Sequence, residues 1–146
     1  MFAPSQADVR RFFCQAWAKH QAGQPMQAIE TLAAGWVAEH PEWHADLADA
    51  EAAITRDFGQ GATGANPFLL LSMHLSISEQ CSIDQPRGIR QAVELLARRR
   101  GDLHAAHHDV MECLGQMLAD AQASGRPPDG AAYLACVQRR ATSDTL

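Results

Sequence analysis

Three short segments of the chain pair histidine with histidine or glutamate at helical spacing. His40-Pro41-Glu42-Trp43-His44 is an H-x3-H pair, His74 to Glu79 an H-x4-E pair and His108 to Glu112 an H-x3-E pair, with His104 one turn earlier on the same side. Side chains three or four residues apart share a helix face and can direct two donors at one ion. The ends of the H-x4-E pair lie about 140° apart by helical rotation, so both reach an ion only if it lies between them. Imidazole nitrogen combined with carboxylate oxygen makes a mixed donor set that suits Fe, Mn or Zn. The candidate metal ligands are therefore His40, His44, His74, Glu79, His108 and Glu112, with His104 as a spare or orienting group.

Each segment also has a plainer reading. His40 and His44 straddle a proline, which leaves open whether they face one site. His74 lies in the most apolar stretch and would serve as a neutral core imidazole, with Glu79 solvated. His108 and Glu112 would form the polar flank of a buried stripe, and His107 sits on the stripe itself as a core residue. Two functions follow. One is a helical metalloprotein binding one or two ions for O2 or peroxide chemistry or metal sensing. The alternative is a metal-free interaction or structural module with buried polar histidines.

The elements that must position these side chains are helical throughout. Ser5 and Asp8 form a capping pair ahead of Val9, Phe12, Phe13, Ala16 and Trp17, and Gly23 ends that stripe. Pro25 suits a first helical turn before Ile29, Leu32, Ala33, Trp36 and Val37. Pro41 kinks this helix or opens a new one, with a weak stripe from His44 to Ile54 ending near Phe58. A glycine-rich loop is expected over 59–65, with Asn66 and Pro67 as N-cap and first residue of a helix running to about 83. That segment is apolar nearly all round over two turns and is expected to be central and buried. Shorter and longer helices follow, closed by Gly101 and Gly125, and a final helix leads to a frayed tail over about 141–146. The fold class is all-α: a single domain over 1–146, a bundle of six to seven helices around the helix at about 67–83.

Composition removes several function classes. At 146 residues, 47% hydrophobic and 20% charged, the chain can bury a core of its own. A net charge of −5, with Arg98-Arg99-Arg100 at a helix end, favours dipole compensation over phosphate binding, so no nucleic-acid partner is expected. No apolar run is long enough to span a bilayer, and no secretory leader is visible, so a cytoplasmic protein without a membrane partner is expected. A homo-oligomer or a protein partner remains open. Cys14, Cys81, Cys113 and Cys136 have no C-x-x-C spacing and sit in apolar helical stretches, as buried reduced thiols would. No G-x-S-x-G, P-loop or dinucleotide fingerprint occurs in a strand-to-helix context, so no nucleotide or organic cofactor is indicated.

The three metal-type spacings are similar to those of the hemerythrin family of helical di-iron proteins, which uses H-x3-E, H-x3-H and H-x4-D on successive helices. Here the order is rotated, Glu79 stands where that family has aspartate, and His20 is the only counterpart to its first-helix histidine. A second resemblance runs through almost the whole chain. It is carried by M-F-x-P-S near the start, R-R-F-F-C-Q-A-W, A-E-H-P-E-W-H, N-P-F-L-L-L-S-M-H-L-S-I-S-E-Q, M-E-C-L-G-Q-M-L and S-G-R-P-P-D-G-A-A-Y-L. In these motifs the chain resembles the bacterial domain-of-unknown-function family numbered 1841, which implies a small helical protein and supplies no activity.

Overall fold

Capping chemistry sets most element boundaries. In a computed structural model, which describes residues 5–56 and 66–142, helix α1 (Gln6–Ala22) opens on a full capping box: the Ser5 hydroxyl accepts from the Asp8 amide and the Asp8 carboxylate from the Ser5 amide. Gly23 closes it in the left-handed conformation, where a side chain would be strained. Helix α2 (Ala28–Ala38) starts three residues later than Pro25 suggested, because Glu30 accepts from the Gln27 amide at 2.8 Å and fixes the first turn there.

Pro41 has no N–H to give and disfavours helical geometry in the residue before it, so α2 stops. His40 takes φ −126° and ψ 70°, and Pro41–Trp43 forms a 3-10 turn. The weak stripe beyond it divides into α3 (His44–Leu47) and α4 (Ala50–Thr55), the latter capped by the Asp49 carboxylate. Helix α5 (Pro67–Ile83) begins on Asn66, whose side-chain oxygen accepts from the amides of Phe68 and Leu69. The expected loop at 59–65 lies outside the described residues, as do 143–146 of the tail expected over about 141–146, whose first two residues are helical instead.

After the Asp84 turn come α6 (Ile89–Arg100), α7 (Leu103–Ser124) and α8 (Gly130–Thr142). Among the described residues there are eight α-helices and no strand, so the chain is all-α. The count exceeds six or seven because the segment after Pro41 divides into two short helices.

The chain divides into two compact units, Met1–Leu75 and Ser76–Leu146. In the first, α1 packs on α2 and α4, burying Phe13, Trp17, Ala33, Val37, Leu47 and Leu71; each large side chain so buried contributes about 1.5–3 kcal/mol. Arg10, 7% exposed, donates to the carbonyls of Ala53 at 2.9 Å and Arg56 at 2.7 Å, which satisfies carbonyls at the end of α4 that the short helix cannot pair itself. Leu69 of α5 is 59% exposed, so this helix is not apolar-buried all round.

In the second unit α6, α7 and α8 pack on one another around Ile89, Val93, Leu96, Val110, Leu114, Tyr133 and Val137. Asp109, 7% exposed, is gripped by both arms of Arg100 at 2.5 and 2.9 Å and approached by Arg140 at 3.8 Å. A buried carboxylate needs such partners. The expectation of four reduced cysteines fails at two of them: Cys113 and Cys136 form a disulfide, with Cα atoms 5.8 Å apart. They are 23 residues apart in sequence, which hid the pairing, but the turn between α7 and α8 brings the two helices side by side within disulfide reach. Cys14 and Cys81 are free thiols, as expected. Among the described residues no helix is long and apolar enough to cross a membrane.

The α1–α2 pairing has a pH-sensitive element. Glu30, 8% exposed, accepts from Lys19 at 2.7 Å as well as from the Gln27 amide; the Lys19 hydrogen bond, then the amide, hold its carboxyl below the usual carboxylate range. A depressed carboxylate adds stability above its unfolded pKa and loses it as pH falls through the folded value. The Glu30→Gln variant is therefore expected to unfold at lower denaturant concentration than wild type at pH 7, with the difference vanishing towards pH 3. Urea titrations across that range check this; a difference independent of pH would contradict it.

Candidate functional site

The break at Pro41 decides where two of the histidines point. The Val37 carbonyl accepts from the His40 amide at 3.0 Å and from His44 Nε2–H at 2.8 Å, so one carbonyl near the end of α2 holds both residues. The His44 ring lies against Trp17, 4.4 Å between centroids. His40 and His44 thus diverge: His44 spends its Nε2–H on the backbone, while His40 turns elsewhere.

His40, 4% exposed, places Nε2 at 3.1 Å from Nε2 of His74, which is fully buried in α5. Both rings are clamped by indoles, His40 stacked on Trp43 at 3.8 Å and His74 on Trp36 at 4.1 Å. The far side of the His40 ring, Nδ1, lies 2.8 Å from the Glu42 carboxylate. A carboxylate only accepts, so Nδ1 carries the hydrogen. In the neutral ring this leaves Nε2 with a lone pair aimed at His74.

In the second unit His104 and His108 lie one turn apart on α7, their ring centroids 4.8 Å apart. His104 is half-buried and His108 exposed. Burial, then the neighbouring His104, pushes the His108 imidazole below its usual value. His107, 2% exposed, is pushed down to about 3, chiefly by burial and then by His104 and His108, so it is a neutral ring at ordinary pH. A histidine cluster of this kind could hold a metal ion, and the four histidines with the donor chemistry for it are His40 and His74 in the first unit and His104 and His108 in the second.

The carboxylates of the sequence-derived set are placed differently. Glu79 is exposed on α5. Glu112 is exposed on α7, with Arg140 at 3.3 Å. His20 is exposed and stacks on Trp17. Absent from that set were Glu42, Trp36 and Trp43. Only Glu42 left a trace in the sequence, as a carboxylate two residues from a histidine beside a proline break. Neither Cys81 nor Cys113 is poised as a nucleophile, since burial pushes the Cys81 thiol up to about 11 and Cys113 is in the disulfide.

These features define an all-helical protein with histidines at buried, half-buried and exposed positions. It belongs to the family described as Domain of unknown function (DUF1841), whose model matches residues 5–139, nearly the whole chain. No curated protein and no solved structure matches the chain.

The role assigned to His44 is open to direct test. Replacing it by alanine removes one donor from the Val37 carbonyl and the ring against Trp17, and the His44→Ala variant is expected to lose about 1–2 kcal/mol. Equilibrium urea denaturation measures this, and unchanged stability would show that the turn does not depend on His44.

Proposed function

We propose that the protein binds a transition-metal ion through imidazole nitrogens, with His40 and His74 of the first unit as the donor pair; His104 and His108 of the second unit carry the same donor chemistry. The observation that carries the reading is the opposed pair of buried nitrogens on His40 and His74, 3.1 Å apart. Two nitrogens bound to one ion at about 2.0–2.1 Å stand roughly 2.9 Å apart at a right angle and about 3.3 Å apart at the tetrahedral angle. The separation of the pair falls between those values. Glu42 supports the same reading, because a carboxylate on Nδ1 fixes the tautomer and raises the basicity of a metal-binding Nε2.

On α7, His104 and His108 repeat the same chemistry at i and i+4. With Glu79 exposed and Glu112 beside Arg140, the donors of this reading are nitrogen alone and the ion is single rather than one of a carboxylate-bridged pair. Imidazole suits zinc and iron; manganese, which favours oxygen, fits least well of the three. Zinc held there would serve a structural or metal-sensing role, and iron would supply open positions for O2 or peroxide.

A metal-free reading rests on the same pair. His74 Nε2–H would donate to His40 Nε2, and the two rings between Trp36 and Trp43 would act as a buried polar fastener in a structural or interaction module.

Elemental analysis of protein expressed without a histidine tag separates the two. About one equivalent of zinc or iron is expected, with loss of that metal in His74→Ala. Content below about a tenth of an equivalent, or unchanged content in His74→Ala, overturns the metal reading. Glu42→Gln is expected to keep the site but weaken Zn2+ or Co2+ affinity roughly 10–100-fold in a competition titration. The absorption spectrum of Co2+ in the site reports four-coordinate against six-coordinate geometry.

A further inference from the structure

Away from the histidines, the disulfide of the second unit is not sealed in a core. Cys113 is 1% exposed, but Cys136 is only half-buried, and both line a cavity of about 370 Å³ at the α7–α8 turn. Met117 and Tyr133 form apolar wall, and Arg126 and Arg139 bring two guanidinium groups to the same cavity. Two carboxylates line it as well, and each is held by its own helix: Asp120 accepts from Gln116 at 2.8 Å and Asp129 from the Ala132 amide at 3.1 Å. A disulfide placed only to brace two helices needs no such cavity beside it. Exchange does need one, since a thiolate must reach one sulfur along the S–S axis.

We propose that Cys113–Cys136 is a thiol–disulfide exchange site that takes low-molecular-mass thiols carrying a carboxylate. The attacking thiolate bonds to Sγ of Cys136, the less buried of the two residues, and the S–S bond breaks with its electron pair on Cys113, which takes up the proton of the incoming thiol. A second thiol attacks the sulfur of the first, releasing the small-molecule disulfide and leaving Cys136 as a thiol. Two small thiols are oxidised and one protein disulfide is reduced; the reverse sequence re-forms it. The guanidinium forks of Arg126 and Arg139 match a carboxylate in geometry as well as charge. A disulfide of this accessible kind in a reducing compartment is a transient, reacting one rather than a staple.

The test uses the intact, natively folded chain. Reduction by 3-mercaptopropionate is compared with reduction by 2-mercaptoethanol at equal thiolate concentration, each reaction quenched, denatured and alkylated to follow the rise from two free thiols to four. The anionic thiol is expected to react about fivefold faster, from two partly exposed charge pairs, and the Arg126→Ala/Arg139→Ala double variant to react equally with both. In the disulfide-linked dimer of 3-mercaptopropionate, Cys113→Ser is expected to acquire a mixed disulfide at Cys136, and Cys136→Ser none at Cys113. Equal rates for the two thiols on wild type, or reduction only in denaturant, overturns the proposal. The rate comparison on the native disulfide stands even where a cysteine variant does not fold.

Discussion

Two imidazole nitrogens held 3.1 Å apart in a buried setting are the constraint from which the rest of the first unit can be understood. Each ring is expensive to bury alone, because an unpaired polar nitrogen costs about 1–3 kcal/mol. The indoles of Trp36 and Trp43 cover the ring faces, and Glu42 takes the hydrogen on the outer nitrogen of His40. What remains is one lone pair facing a second nitrogen, a gap that either a shared hydrogen or a shared ion fills.

That geometry depends on an interruption. A continuous helix through residue 41 would have set His40 and His44 on one face, the arrangement their spacing suggests. Pro41 prevents it, and the Val37 carbonyl collects the His40 amide and the His44 ring instead. One histidine is thereby spent on the backbone and the other is freed to meet His74. The Arg10 guanidinium does the corresponding work at the far end of α4, pairing carbonyls that a helix of six residues leaves open.

The second unit is fastened by different means. Asp109 sits buried between α6 and α7 and is stabilised by the bidentate Arg100, with Arg140 of α8 nearby. The disulfide joins α7 to α8 beside a cavity rather than within the core. His107 is the ordinary core imidazole its position on the apolar stripe implied, kept neutral by burial.

Much of the secondary structure was legible because its causes are local. The Ser5–Asp8 box, Asn66–Pro67, Gly23, Gly101, Asp102 and Gly125 each act on backbone groups within four residues, so sequence alone placed those boundaries and the all-α class. It also marked His40, His74, His104 and His108 as residues with ligand chemistry at suggestive spacing. Only the tertiary structure decided which atoms meet. His40 and His74 are 34 residues apart, and Cys113 and Cys136 are 23 apart, so neither pairing has a periodic signature. Likewise Glu112 reads as a ligand partner of His108 until Arg140, from another helix, is brought to its carboxylate. Helical spacing fixes which side chains share a face; what that face finds opposite it is set by packing between elements, where contact geometry rather than sequence distance determines the partner.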